Sequence, residues 1–282
     1  MTMTPAERRA TVVDRPTPPA RGRVRLLVVT ATAVVVVLVV AAVMVLRTRG
    51  ATPEPFAPSF AGADGLVTNE YAHRHPDAPG ARVSRDWDVT SGSLYRRGGV
   101  AWSGVPDAAA PDAASAAGTG SSVFRMSSRR HDFEDVTVSL RLRNLGLSDR
   151  GRQPATATDG LHLFLRWKNE TELYVVSLNR RDGRMVIKKK LTGGDVNGGT
   201  YVTLGQAPYP VPVGVWQSFD VAIATTASGS VGIDVRRDDR MVLAVTDAGT
   251  GGAPIGGAGA VGLRGDNCEF EVDQFRVTPA TD

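Results

Sequence analysis

Cysteine is almost missing from this chain. Cys268 is the only one in 282 residues, so no intrachain disulfide can form and the core must hold the fold without staples. Lysine is nearly as scarce: Lys168, Lys188, Lys189 and Lys190 are the full set. Arginine carries the remaining basic charge, a choice we attribute to codon bias rather than chemistry. A nucleotide-binding glycine loop is missing too, because Gly193-Gly194 and Gly198-Gly199 have no helix after them. Past residue 60 there is no long helical stripe of apolar residues, which excludes a helical bundle.

Positive charge on the folded part is also lacking, although the chain as a whole carries +4. Residues 1–50 hold eight arginines against Glu7 and Asp14, a net +6. The other 25 basic and 27 acidic residues give −2. A phosphate-binding protein needs its cations on the folded surface, so nucleic acid is not an expected partner.

What is present begins with a greasy run. Leu26 to Leu46 has no charge, and its only polar residues are Thr30 and Thr32. Twenty-one residues at about 1.5 Å each span roughly the 30 Å of a bilayer core. The run is longer than a signal-peptide core and ends at Met44-Val45-Leu46-Arg47 without a small-residue cleavage site. The expectation is an uncleaved transmembrane helix over 24–46, with the lipid bilayer as its partner. Six arginines precede the apolar run, so the positive-inside rule keeps the tail 1–23 cytoplasmic. The prolines of that tail indicate disorder. A proline-bearing linker, 47–59, then leads to an extracytoplasmic domain at the plasma membrane, 60–279.

In that domain the signal is two-residue alternation broken by Gly, Asp and Asn turns, as in antiparallel strands. Val136, Val138, Leu140 and Leu142 alternate, as do Leu161, Leu163, Leu165 and Trp167, with His162, Phe164 and Arg166 opposite. Further rows run through Phe219-Val221-Ile223, Val231-Ile233-Val235 and Met241-Leu243-Val245. Residues 105–122 are rich in Pro, Gly and Ser and are expected as a surface loop. The fold class is all-β: a two-sheet antiparallel jelly-roll sandwich behind a single transmembrane helix.

The succession Gly160-Leu161-His162-Leu163-Phe164-Leu165-Arg166-Trp167, then Leu173 to Leu178, then Met185 to Lys190, then the triplet opened by Trp216 and the closing strand 270–277, resembles the concanavalin-A-like lectin/glucanase superfamily. Laminin-G-like and 3-keto-disaccharide-hydrolase-type domains belong to it. The resemblance covers roughly residues 60–277 and implies glycan binding on a sheet face or at loop edges. It also implies a structural calcium, for which Asn69, Glu70 and Asp273 are the candidate oxygen donors.

Chemistry is less legible. Family-16 glucanases of that superfamily carry E-x-D-x-x-E; Glu271 and Asp273 supply two acids, but Arg276 stands where the second glutamate belongs. Glu170 and Glu172 are two residues apart at a hairpin turn, where acids are usually just solvated. Glu70, His73, His75 and Asp77 have zinc-like types in a loop-like run with no matching cluster nearby. Arg264-Gly265-Asp266 spells an adhesion tripeptide that a turn explains equally well. The polar side of the central hairpins is the best binding candidate. His162, Arg166, Lys168, Tyr174, Asn179, Arg180, Lys188 and Lys190, with Trp102, mix donors and rings as sugar sites do. Trp167, in register with three leucines, is expected in the core. The expected function is non-catalytic glycan binding with no required cofactor; cleavage of a glycan and docking of an envelope protein are the alternatives.

Overall fold

The computed structural model describes residues 54–109, 118–120 and 122–280. The expected membrane helix at 24–46 and half of the loop at 105–122 lie outside these residues. Among the described residues no helix is long and apolar enough to cross a membrane.

Alternation becomes strands where it was expected. In chain order come β1 (Gly65–Asn69), a one-turn helix α1 (Glu70–Arg74), β2 (Trp87–Ser91), β3 (Ser93–Arg97), β4 (Val100–Trp102), β5 (Val123–Ser128) and β6 (Val136–Leu147). Next are β7 (Gly160–Asn169), β8 (Glu172–Arg180), β9 (Arg184–Val196), β10 (Gly199–Pro208) and β11 (Trp216–Thr225). The last four are β12 (Val231–Arg237), β13 (Arg240–Asp247), β14 (Ala260–Asp266) and β15 (Cys268–Pro279). Helix α1 was not expected; Asn69 caps it, its side chain accepting the Ala72 N–H at 3.1 Å.

Two antiparallel sheets result. One has eight strands in the order β1-β3-β4-β15-β6-β11-β12-β13, the other seven in the order β10-β9-β8-β7-β14-β5-β2. This is the all-β, two-sheet arrangement of a jelly-roll sandwich. Val136, Val138, Leu140 and Leu142 of β6 and Phe219, Val221 and Ile223 of β11 meet Leu161, Leu163 and Leu165 of β7 in one core. Phe56, expected in the linker, already belongs to that core. Its N–H donates to the Val277 carbonyl at 2.9 Å, and its ring lies edge-on to Trp87 at 5.3 Å.

Strand β7 contains the irregularity that shapes the site. Leu161, Leu163 and Leu165 face the core in period two. Arg166 then takes a left-handed φ of 45° and the pairing to β8 and β14 shifts register there. Such a bulge adds one residue and reverses the facing of the residues beyond it. Arg166 therefore turns inward, wholly buried, and Trp167 turns outward to the second face of the sheet. Gly259 makes the bulge possible: a Cβ there would sit 2.5 Å from the Arg166 carbonyl carbon.

The lysine run of β9 obeys the same period. Lys189 points inward, while Lys188 and Lys190 lie on the outer face with Tyr201. Buried Lys189 is fully matched: its Nζ donates to both Asp247 oxygens at 2.9 and 2.8 Å and to the Gly252 carbonyl at 2.6 Å.

Candidate functional site

Outside the core, the seven-stranded sheet carries a small second apolar cluster. Phe164, Leu173 and Val175 are buried there beneath Trp167 and Tyr201. Three adjoining depressions, sharing Arg264, Asn197 and several neighbours, form one groove over this cluster. Its position is set by register. Lys188, Val175 and Phe164 pair in turn across β9, β8 and β7, while Ser177, His162, Arg264 and Arg125 form the next row across β8, β7, β14 and β5. Residues two apart on each strand share the outer face, so the apolar row and the charged row lie side by side. The β9–β10 turn contributes Val196 and Asn197 to the groove, Asn197 in left-handed conformation at φ 49°.

The groove carboxylates Asp266, Glu170 and Asp159 are all engaged. Asp266 accepts from Arg264 Nε at 3.0 and 2.9 Å and lies 3.3 Å from His162 Nε2. Burial would raise its carboxyl, but the His162 contact and the Arg264 charge outweigh that and bring it down to about 2. His162 is buried, and burial lowers its pKa despite Asp266. A neutral imidazole suits both neighbours, with Nε2–H toward Asp266 and Nδ1 accepting from Ser177 Oγ at 2.9 Å. The Ser177–His162–Asp266 line has the residue types of a nucleophilic triad. Ser177 is completely buried, however, and no substrate can reach its hydroxyl. Glu170 pairs with Arg125. Asp159, at the far end of the groove, accepts from Thr156 Oγ1 at 2.7 Å and Asn267 Nδ2 at 2.9 Å.

The cations are less completely matched. Lys188 Nζ lies 5.0 Å from the Tyr201 ring centre and Lys190 Nζ 5.2 Å from it. Lys190 also donates to the Glu170 carbonyl at 2.8 Å. Lys188 has no hydrogen-bond acceptor and no carboxylate partner among the described residues. Burial, with Arg180 and Arg264 nearby, pulls its pKa down to about 8.

No family model and no curated protein matches this sequence. Solved structures do resemble it. A carbohydrate binding module, CBM66 from Bacillus subtilis, is 12% identical with a TM-score of 0.47, covering 68% of this chain and 94% of its own. A Bacillus subtilis protein of unknown function with a galectin-like fold is 12% identical at a TM-score of 0.49, covering 80% and 99%. The alginate lyase Aly36B is also 12% identical, at a TM-score of 0.46, covering 82% and 98%. At this distance the chemistry has to be argued from the chain's own residues.

Of the expected binding residues, His162, Lys188 and Lys190 line the groove. Arg180 pairs with Asp182 and contributes its charge beside Lys188. The others leave the set. Arg166 is carried inside by the bulge, where it donates to the Glu134 and Ile255 carbonyls, Asp135 and Thr225 at 2.7–3.0 Å. Tyr174 lies in the core with its hydroxyl on Asp247 at 2.7 Å. Asn179 is buried in β8, and Lys168 reaches over to the Ala258 carbonyl. Trp102 belongs to the other sheet, its Nε1 donating to Glu269 at 2.8 Å under the Arg97 guanidinium. Trp167, expected in the core, is instead a groove wall.

The remaining candidates also have defined places. Glu271 is clasped by Arg97 and Arg143, and Asp273 lies 3.6 Å from Arg141, both on β15. Glu70 is fully buried and accepts from the Gly92 N–H and from Thr119 Oγ1 at 2.9 Å. Asn69 is the helix cap. The suggested calcium donors thus each serve a separate local contact. His73 meets Asp88 at 2.9 Å, and among the described residues no group of three His, Cys, Asp or Glu converges as metal ligands would. Arg264-Gly265-Asp266 is strand rather than turn, and its two charges bond each other within the groove. Sequence reasoning missed Arg125 and gave Arg264 and Asp266 no role in a site. The alternation of Arg125 between Phe124 and Met126, and of Arg264 with Asp266 along β14, was the available signal.

Proposed function

We propose that this chain is a membrane-tethered, extracytoplasmic protein that binds glycan in the groove of its seven-stranded sheet without cleaving it. The observation that carries the reading is the groove itself. Trp167 and Tyr201 offer ring faces over an apolar floor, and Lys188, Lys190 and the Arg264 fork offer donors beside them. Sugars are held by this combination of stacking and directed hydrogen bonds. The carboxylates argue against hydrolysis. A glycosidase needs one acid that is protonated near neutral pH, whereas Asp266 is held at about 2 and Glu170 is paired with Arg125.

The alternative with a specific observation behind it is glycan cleavage by elimination. Lys188, with its pKa near 8 beside Tyr201, is the group that could take a proton. Incubating the full chain with an array of polysaccharides, while measuring both retention and release of reducing or unsaturated ends, separates the two. Retention without release is expected; release that Lys188→Gln abolishes makes the chain an enzyme. Tethering rests on the 24–46 run and its flanking arginines. Protease added to intact cells should remove the C-terminal part, and its protection until lysis would reverse the orientation.

A further inference from the structure

Two groups in the groove have donors left over. Arg264 spends only Nε on Asp266, and no partner for its two terminal nitrogens occurs among the described residues. Lys188, partly buried three strands away, has no hydrogen-bond acceptor and no carboxylate in ion-pair contact among the described residues; the charges of Asp266 and Asp182 reach it but do not offset its burial beside Arg180 and Arg264. Between their strands lie the apolar positions Val175 and Phe164, with Tyr201 beside them, so both cations border one patch where a flat ring could rest. A cation withdrawn from water without a partner costs free energy, and an arriving anion recovers that cost. A neutral sugar offers Lys188 hydroxyl acceptors but no opposite charge.

We infer that the groove is built for an acidic glycan, one whose sugar stacks against Tyr201 while its carboxylate or sulfate lies between Lys188 and Arg264. This rests on the glycan-binding reading and narrows it to a substrate class. The supply of charge agrees with it. Arg125, Lys188, Lys190 and Arg264 line the two central depressions against Glu170 and Asp266 only, and both acids are already engaged. The surplus is local, since residues 51–282 as a whole carry −2. Burial and the Arg180 and Arg264 charges hold Lys188 near 8; an anion beside it raises that value, so binding at pH 8 takes up protons.

The test is calorimetry on the full chain in mild detergent with three probes of matched length: polygalacturonate, chondroitin sulfate and a neutral β-glucan. At least one anionic probe should bind tenfold or more tighter than the glucan. The favoured anion tells carboxylate from sulfate recognition. Lys188→Gln should weaken binding of the favoured anionic probe by about tenfold more than it weakens binding of the glucan. Because Lys188 has no hydrogen bond or ion pair among the described residues and touches only the Tyr201 ring, this variant is expected to fold, which its circular dichroism checks. Repeating the titration at pH 8 in buffers of different ionisation enthalpy should reveal proton uptake that the variant lacks. Equal binding of neutral and anionic probes, or a preference that survives Lys188→Gln, overturns the acidic-glycan inference while glycan binding stands. Binding of none of the three overturns both.

Discussion

Replacing Lys189 with methionine keeps most of the side-chain volume and removes one charge from the interior of the sandwich. What remains is Asp247, wholly buried, with the Tyr174 hydroxyl at 2.7 Å and the Gly249 and Thr250 amides at 3.1 and 3.2 Å, but no cation. Breaking a buried pair from one side costs about 3–5 kcal/mol, because the surviving charge keeps its desolvation penalty. The Gly252 and Ala253 carbonyls lose their donor as well. For a folded part of this size each kcal/mol moves the midpoint by roughly 2–4 °C, so the melt should fall by on the order of 10 °C. Lys188→Met, one residue away, should behave oppositely. Its pKa drops from 10.5 to about 8 on folding, which corresponds to at most ~3 kcal/mol of strain in the charged form. Lost contact with the Tyr201 ring, worth about 0.5–2 kcal/mol, and partial solvation offset much of that. The expected net is a gain of up to ~1 kcal/mol at pH 7. The sign of the pH trend is fixed by the same shift. Between about 8 and 10.5 the unfolded chain holds the Lys188 proton that the folded chain has shed, so wild-type stability rises with pH across that window. In Lys188→Met this rise should disappear. Denaturant unfolding followed by circular dichroism at pH 7 and pH 10 measures all of this. The reasoning is refuted if Lys189→Met loses less than about 1 kcal/mol, or if the two variants cannot be told apart.

Three further outcomes are expected. Asp266, depressed from 3.8 to about 2, contributes roughly 2 kcal/mol above pH 4 that fades as pH falls toward 2; Asp266→Asn should therefore flatten the acid limb of the stability profile, and an unchanged limb would remove the His162–Arg264 explanation. Gly259→Ala drives a methyl into the Arg166 backbone and should cost more than about 2 kcal/mol by chemical unfolding, whereas a loss below about 0.5 kcal/mol would mean the bulge can relax. Trp167→Ala and Tyr201→Ala should each weaken glycan retention about tenfold or more in affinity electrophoresis with little change in midpoint; full retention in both would move the binding surface elsewhere.

Fold and site differ in how far the sequence exposes them, and β6 and β7 illustrate why. Strand β6 has one face on the core and the other partly solvated, so its residues alternate between buried and half-buried, and the pattern is readable directly. Strand β7 is buried on both faces through Arg166. Its alternation gave the strand but not which side would be the core after residue 165. Trp167 was misplaced because a left-handed step at Arg166 is invisible to a period-two count. Tyr174 and Lys189 look like surface donors until Asp247, 73 and 58 positions away in the chain, supplies a reason for each to point inward. Lys188 and Lys190 were identified because outer-face residues two apart stay together whatever the long-range partners do. Trp102 was grouped with them by residue type alone, and the crossover to the other sheet carries it away.

The kink in β7 bears on how remote relatives of this chain should be lined up. Matching hydrophobic beats alone slips by one after Leu165 and superimposes a groove-facing tryptophan on interior leucines. A relative with an uninterrupted strand must present its equivalent ring one position earlier, at the place held here by the inward arginine. Searches that permit a single-residue offset at this point should therefore bring together chains that rigid column-by-column matching keeps apart.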